Sequence, residues 1–151
     1  MVQKAVFICI FFLVGCASWG GGVRLVDIDK PLTHIKSAVL SSVPLGIRKT
    51  EKSGLEIYSK YFRPGGRKFI PSHSWPERYF AHILIRGDRR PYTIEIYVYK
   101  EKKAAVSEQS INGYVQVGQD ERLAKLIRER VKEQLTKRRE DPNIIDDFRV
   151  F

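Results

Sequence analysis

The chain has 151 residues, with 27 Lys and Arg against 17 Asp and Glu, a formal net charge of +10 and two cysteines, Cys9 and Cys16. That length makes one domain of ordinary size, and cysteines confined to the first stretch exclude disulfide staples, thiol nucleophiles and cysteine-ligated zinc from the remainder. So large a positive charge bears on partners rather than on fold and points to anions.

The chain opens with one basic residue, Lys4, then the uncharged apolar run Ala5 to Val14, then Gly15 and Cys16. This layout reads as a targeting segment over 1–15 and not as part of a fold. Leu13-Val14-Gly15-Cys16 resembles the lipobox of bacterial lipoproteins, with a branched apolar residue three positions before the cysteine and a small residue at the cut. The resemblance implies a diacylglycerol on the Cys16 sulfur, cleavage before Cys16 and acylation of the new amino group, commonly by palmitate. Two other readings compete: an uncleaved anchor over Ala5 to Val23, and an ordinary secretory signal cut elsewhere. Gly20-Gly21-Gly22 argues against the anchor, since three glycines add no apolar surface and form helix poorly. Ala17 and Ser18 lack the acidic residue that in such lipoproteins favours the inner membrane, so the resemblance points to the outer membrane facing the periplasm. In that compartment nucleic acid is not the expected partner. Anionic glycans, lipid head groups or an acidic protein are, unless the basic residues only solvate the surface.

Residues 16–30 read as a lipidated tether, flexible over Ser18 to Gly22. A single α+β domain is then expected over 31–140. Leu32 to Val43 shows near-helical spacing through Leu32, Ile35, Val39 and Leu40, with Thr33 as the predicted N-cap and Pro44 beyond the end. The period then changes to two. Leu45 to Thr50 and Leu55 to Phe62 alternate on either side of the turn residues Glu51 to Gly54, predicting a hairpin whose second strand has large side chains on both faces.

Arg63 to Glu77 is rich in Pro, Gly and basic residues and reads as a long loop, where binding residues concentrate. Arg63, Arg67, Lys68 and Trp75 are its candidates for contact with an anion or partner; Phe69 and Trp75 serve equally well as plugs that pin the loop to the core. Tyr79 to Ile85 and Tyr92 to Tyr99, rich in aromatic and β-branched residues, predict a second hairpin at the centre of the sheet. Ile94, Ile96 and Val98 form its apolar face and Thr93, Glu95, Tyr97 and Tyr99 the other. Arg86, Arg89 and Arg90 make a basic tip suited to phosphate or carboxylate, and Gly87-Asp88 is turn chemistry. Lys100 to Ser110 reads as a loop and Ile111 to Val117 as a strand. A helix follows from Glu121 to Arg138, capped by Asp120, with Leu123, Ile127, Val131 and Leu135 on one face.

The segment 141–151 follows an Asp-Pro break and carries Ile144, Ile145, Phe148 and Phe151, which predict a docking tail. His34, His73 and His82 lack metal-ligand spacing, no acid/base pair stands out, and phosphate-loop fingerprints are absent. No metal or cofactor is expected. The fold expected is a two-layer α+β sandwich, with a mostly antiparallel sheet of about four or five strands under a long C-terminal and a short N-terminal helix. The function expected is that of a non-enzymatic adaptor or accessory subunit of an envelope complex. The alternative is a module binding an anionic envelope polymer or lipid head group through the basic loop and hairpin tip.

Overall fold

In a computed structural model the described residues are 22–66, 68–72, 74–105 and 113–137. The α+β class and the long C-terminal helix are as expected, but the sheet has eight strands. At its centre lie β6 (Glu77–Arg86) and β7 (Tyr92–Lys103), antiparallel and in continuous register from Glu77 opposite Lys102 to Arg86 opposite Thr93. β1 (Val23–Ile28) and β8 (Tyr114–Gln119) share the far edge of β7, β1 along its first half and β8 along its second. On the other side β6 pairs with β3 (Glu56–Ser59), which pairs with β2 (Ile47–Glu51). β4 (Phe62–Gly65) and β5 (Lys68–Pro71) form a small hairpin joined to β6 at Tyr79.

Alternation along the two central strands decides what packs where. Ala81, Ile83 and Ile85 of β6, with Ile94, Ile96 and Val98 of β7, point to one side and are buried there. Both helices, α1 (Leu32–Ser42) and α2 (Glu121–Thr136), complete the core on that side. α1 contributes Ile35 and Val39, and α2 contributes Leu123, Ala124, Ile127 and Val131. Asp120 caps α2 as predicted, its carboxylate accepting the Leu123 N–H at 2.9 Å. No described helix is long and apolar enough to cross a membrane.

Several expectations are corrected. The stretch Val23 to Ile28 belongs to the sheet and not to a tether. α1 begins at Leu32, after Pro31 at the N-cap position with no side-chain cap, so Thr33 lies inside the helix. The second strand of the first hairpin stops at Ser59, and the chain restarts as β4 at Phe62. Part of the supposed loop is the β4–β5 hairpin, where Phe69 packs on Phe62 with ring centroids 4.7 Å apart, as a plug. β7 runs on to Lys103 through residues expected to be loop, and the strand expected from Ile111 is β8, described from Tyr114. The tail at 141–151 lies outside the described residues.

Ile127 has no exposed surface and sits at the middle of the α2 stripe. Ile127→Ala is expected to lower the unfolding free energy by about 2–5 kcal/mol, through lost transfer energy and a residual cavity. Lys125→Ala, which removes an exposed pair with Glu121, should change it by no more than about 0.5 kcal/mol. Urea titration of both variants checks the difference.

Candidate functional site

The side of the sheet away from the helices bears the residues of opposite phase: Arg78, Phe80 and His82 of β6, Glu95, Tyr97, Tyr99 and Glu101 of β7, and Glu56 and Tyr58 of β3. No described helix packs on this face. Its rings form a continuous run. Tyr58 stacks on His82 with centroids 4.3 Å apart and planes 7° from parallel. His82 lies 6.2 Å from both Tyr97 and Tyr99, Tyr99 lies 5.2 Å from Phe80, and Phe80 lies 5.9 Å from Tyr61. Above Tyr61 and Phe80 rests the Arg48 guanidinium, 4.3 and 5.2 Å from the two ring centres, donating to the Tyr61 hydroxyl at 2.6 Å.

Two buried charges anchor the run. Glu56 Oε1 accepts from the Tyr58 hydroxyl and meets His82 Nε2, each at 2.8 Å, and Oε2 lies 2.8 Å from Lys52 Nζ. Lys52 above all, then Tyr58 and His82, hold the Glu56 carboxyl down at about 2, against an ordinary 4.5. Burial and the bond to Glu56 push the Tyr58 hydroxyl up to about 12. At the other end Arg78 is clamped between two rings, 3.6 Å from Tyr61 and 3.5 Å from Tyr114, and its Nε donates to Glu101 at 2.7 Å. The planar guanidinium suits this position because it stacks on both faces and still presents an edge to the carboxylate.

Beyond Arg78 the face ends in a cleft. Tyr114 reaches across to donate to the Trp75 carbonyl at 2.9 Å. The Trp75 ring in turn stacks on Arg63, whose guanidinium carbon lies 3.6 Å from the ring centre. Together with Pro64, Pro76, Glu77 and Tyr79 these two residues line an open cavity of about 310 Å³. Trp75 remains 46% exposed, so it is not a core plug. Glu77 is held by Lys100 at 2.9 Å and Lys102 at 3.3 Å, and this pairing, Lys100 foremost, keeps its carboxyl below the ordinary range.

Of the residues singled out from the sequence, Arg63 and Trp75 are brought together. Lys68 is exposed on β5, outside the cleft. The basic tip is not part of this site, since Arg86 lies at the far end of β6 from Glu77, roughly 30 Å away at the usual strand rise. There Arg86 bonds Glu95 at 3.4 Å, Arg90 comes within 3.8 Å of Asp29, and Arg89 is exposed. The described part of the loop and the tip therefore lie at opposite ends of β6. Cys16, Arg67, His73, Ile144, Ile145, Phe148 and Phe151 lie outside the described residues. The sequence reading missed the aromatic run itself, although Tyr97 and Tyr99 at i and i+2 on the non-apolar side of the expected strand were its signal. Among the described residues no group of three or more His, Cys, Asp or Glu could hold a metal ion. No family model, no curated protein and no solved structure matches this chain.

Because the Glu56 carboxyl is lowered on folding, its stabilising contribution is complete above pH 4.5 and is lost as pH falls toward about 2. Thermal melts of the wild type and Glu56→Gln should therefore differ most above pH 4.5 and converge between there and pH 2. Arg78→Lys keeps the charge beside Glu101 but not the planar stack, and should lower the unfolding free energy by about 1–2 kcal/mol. Urea titration would read this as a lower midpoint at unchanged slope.

Proposed function

We propose that this chain is a non-enzymatic accessory protein of the bacterial cell envelope, held at the outer membrane by lipid on Cys16 and gripping a protein partner through the cleft between Arg63 and Trp75. The observation that carries this reading is the exposed indole of Trp75, pinned by a guanidinium and facing an open cavity. Trp and Arg dominate the energetics of protein interfaces when a partner desolvates them. A cavity of about 310 Å³ walled by rings and two prolines suits one anchoring side chain with its neighbours. Glu77 supports binding over catalysis, because a carboxylate locked to two lysines is a poor general base. The anchor is supported by Leu13-Val14-Gly15-Cys16 at the end of a short apolar run, and the apolar tail at Ile144, Ile145, Phe148 and Phe151 offers the partner a second contact.

A second reading, an anionic glycan in the same cleft, is favoured by Arg63 against the exposed ring and by Lys100 and Lys102, which pair with Glu77 of the cleft wall. A photo-crosslinking residue at Pro76, introduced in cells, separates the two. The adaptor reading expects a discrete protein adduct at that position, absent from a control at Lys125 and lost on Trp75→Ala or Arg63→Ala. The absence of a protein adduct, together with salt-sensitive co-sedimentation with envelope glycan, would replace it by the second.

A further inference from the structure

The described chain begins at the sheet edge, under a ring of the open face. The Tyr97 ring lies over Gly22, so close that a Cβ there would sit 2.2 Å from Cε1. On the strand edge beside it there is no room, since Val23 of β1 pairs with Ile96 while the Asp120 N–H donates to the Val98 carbonyl at 2.9 Å where β8 ends. The opposite face is filled by α2. From Gly22 back to Cys16 the chain spans at most about 20 Å, even fully extended. A lipid on Cys16 would therefore hold the bilayer within that distance of Tyr97.

The chemistry of the face matches such a neighbour. Tyr58, Tyr97 and Tyr99 are half-buried rings carrying hydroxyls, the amphipathic type enriched where membrane meets water. Besides the Arg78–Glu101 pair at one end, where the arginine is the more buried partner, four ion pairs stand around them: Arg24 with Glu95, Arg86 with Glu95, Lys49 with Glu51, and Lys52 with Glu56. In each of these four the cation is the more exposed partner, and Glu95 and Glu56 are sunk to 14% and 9% exposure. Around the tyrosines the outermost layer of the face is thus cationic, although the acids beneath it neutralise much of the formal charge. Long basic side chains in that position can keep a recessed carboxylate as partner and also reach a phosphate.

We infer that the open sheet face lies flat on the anionic phospholipid surface of the membrane in which Cys16 is anchored, with the helices turned away from it. This rests on the lipid-anchor reading but not on the cleft, which sits at the perimeter of the face beyond Arg78. Exposed cations are attracted to an anionic lipid surface, so the acyl chains on Cys16 hold the domain at the membrane and these cations set which side of it faces the lipid.

Site-directed spin labelling of the full chain tests it. With Cys9 removed in the leader and the Cys16 sulfur acylated, one introduced cysteine is the only labelled thiol. Labels would be placed at Arg24→Cys and Lys49→Cys on the face, and at Ser41→Cys and Lys132→Cys on the helices, in vesicles containing phosphatidylglycerol. The expected result is severalfold lower accessibility to an aqueous nickel chelate at the two face positions than at the two helix positions, weakened in phosphatidylcholine alone and at high salt. Equal accessibility at all four positions overturns the inference. So does shielding that appears only in native membranes, which would assign the face to a protein, and shielding indifferent to lipid charge removes its anionic part. Intact mass keeps the two readings apart: a missing acyl group takes down both, whereas acylated protein with equally accessible labels leaves the anchor standing.

Discussion

Continuous pairing of β6 with β7, from Glu77 opposite Lys102 to Arg86 opposite Thr93, is the constraint on which the remaining structure depends. Side chains alternate along both strands, so this register sorts the hairpin into an aliphatic side and an aromatic, charged side. A one-residue slip of β6 would turn Arg78 and His82 into the core and expose Ile83, and a slip of β7 would do the same with Glu95 and Glu101 against Ile94 and Ile96. Every other strand but β2 and β5 attaches directly to one of these two. The helices need only cover the aliphatic side, and α2 does so with a stripe spaced for it.

The polar side is less easily satisfied. Packing rings densely on a sheet face with no described helix above them half-buries whatever charges share the surface, and a buried charge must keep a partner. The structure meets this at both ends of the run, where Glu56 takes donors from three side chains and Arg78 takes two ring faces and a carboxylate. These differ from pairs such as Lys125 with Glu121, which solvent screens on the outside of α2. They also connect separate parts of the chain, because the Arg78 clamp draws Tyr61, just before β4, and Tyr114 of β8 onto one strand. Through the Tyr114 hydroxyl it further supports the loop that holds Trp75 beside Arg63.

Much of this was legible in the chain, and what was not has physical reasons. Asp120, Leu123, Ile127 and Val131 announce α2 because cap and stripe are local signals, and the alternation of Tyr92 to Tyr99 announces its strand for the same reason. β1 escaped notice because it follows three glycines and is interrupted by a bulge at Asp27, whose φ of 56° breaks the alternation and leaves Val26 outside. The β4–β5 hairpin was hidden by Pro64, Pro71, Gly65 and Gly66, which read as breakers but are tolerated in a short hairpin on the margin of the sheet. Arg63 and Trp75 were recognisable as a pair of unusual residues, yet their stacking depends on β4 and β6 being neighbours. The aromatic face was least legible of all, since alternation divides a strand into two sides without saying which elements leave one of them uncovered.

The attachment of β1 also determines how the domain responds to mechanical load. A pull arriving at Gly22 is carried first by the bonds joining Val23, Arg24 and Leu25 to Ile96, Glu95 and Ile94. Directed along the strand, it would strain those bonds together; directed out of the sheet, it would open them one after another from Val23 inward, like a peeling strip. The bulge before Ile28 would interrupt such a peel partway along β1. The first bonds to part would bare the β7 edge above Ile96, so the core is most vulnerable to force where the chain joins the sheet.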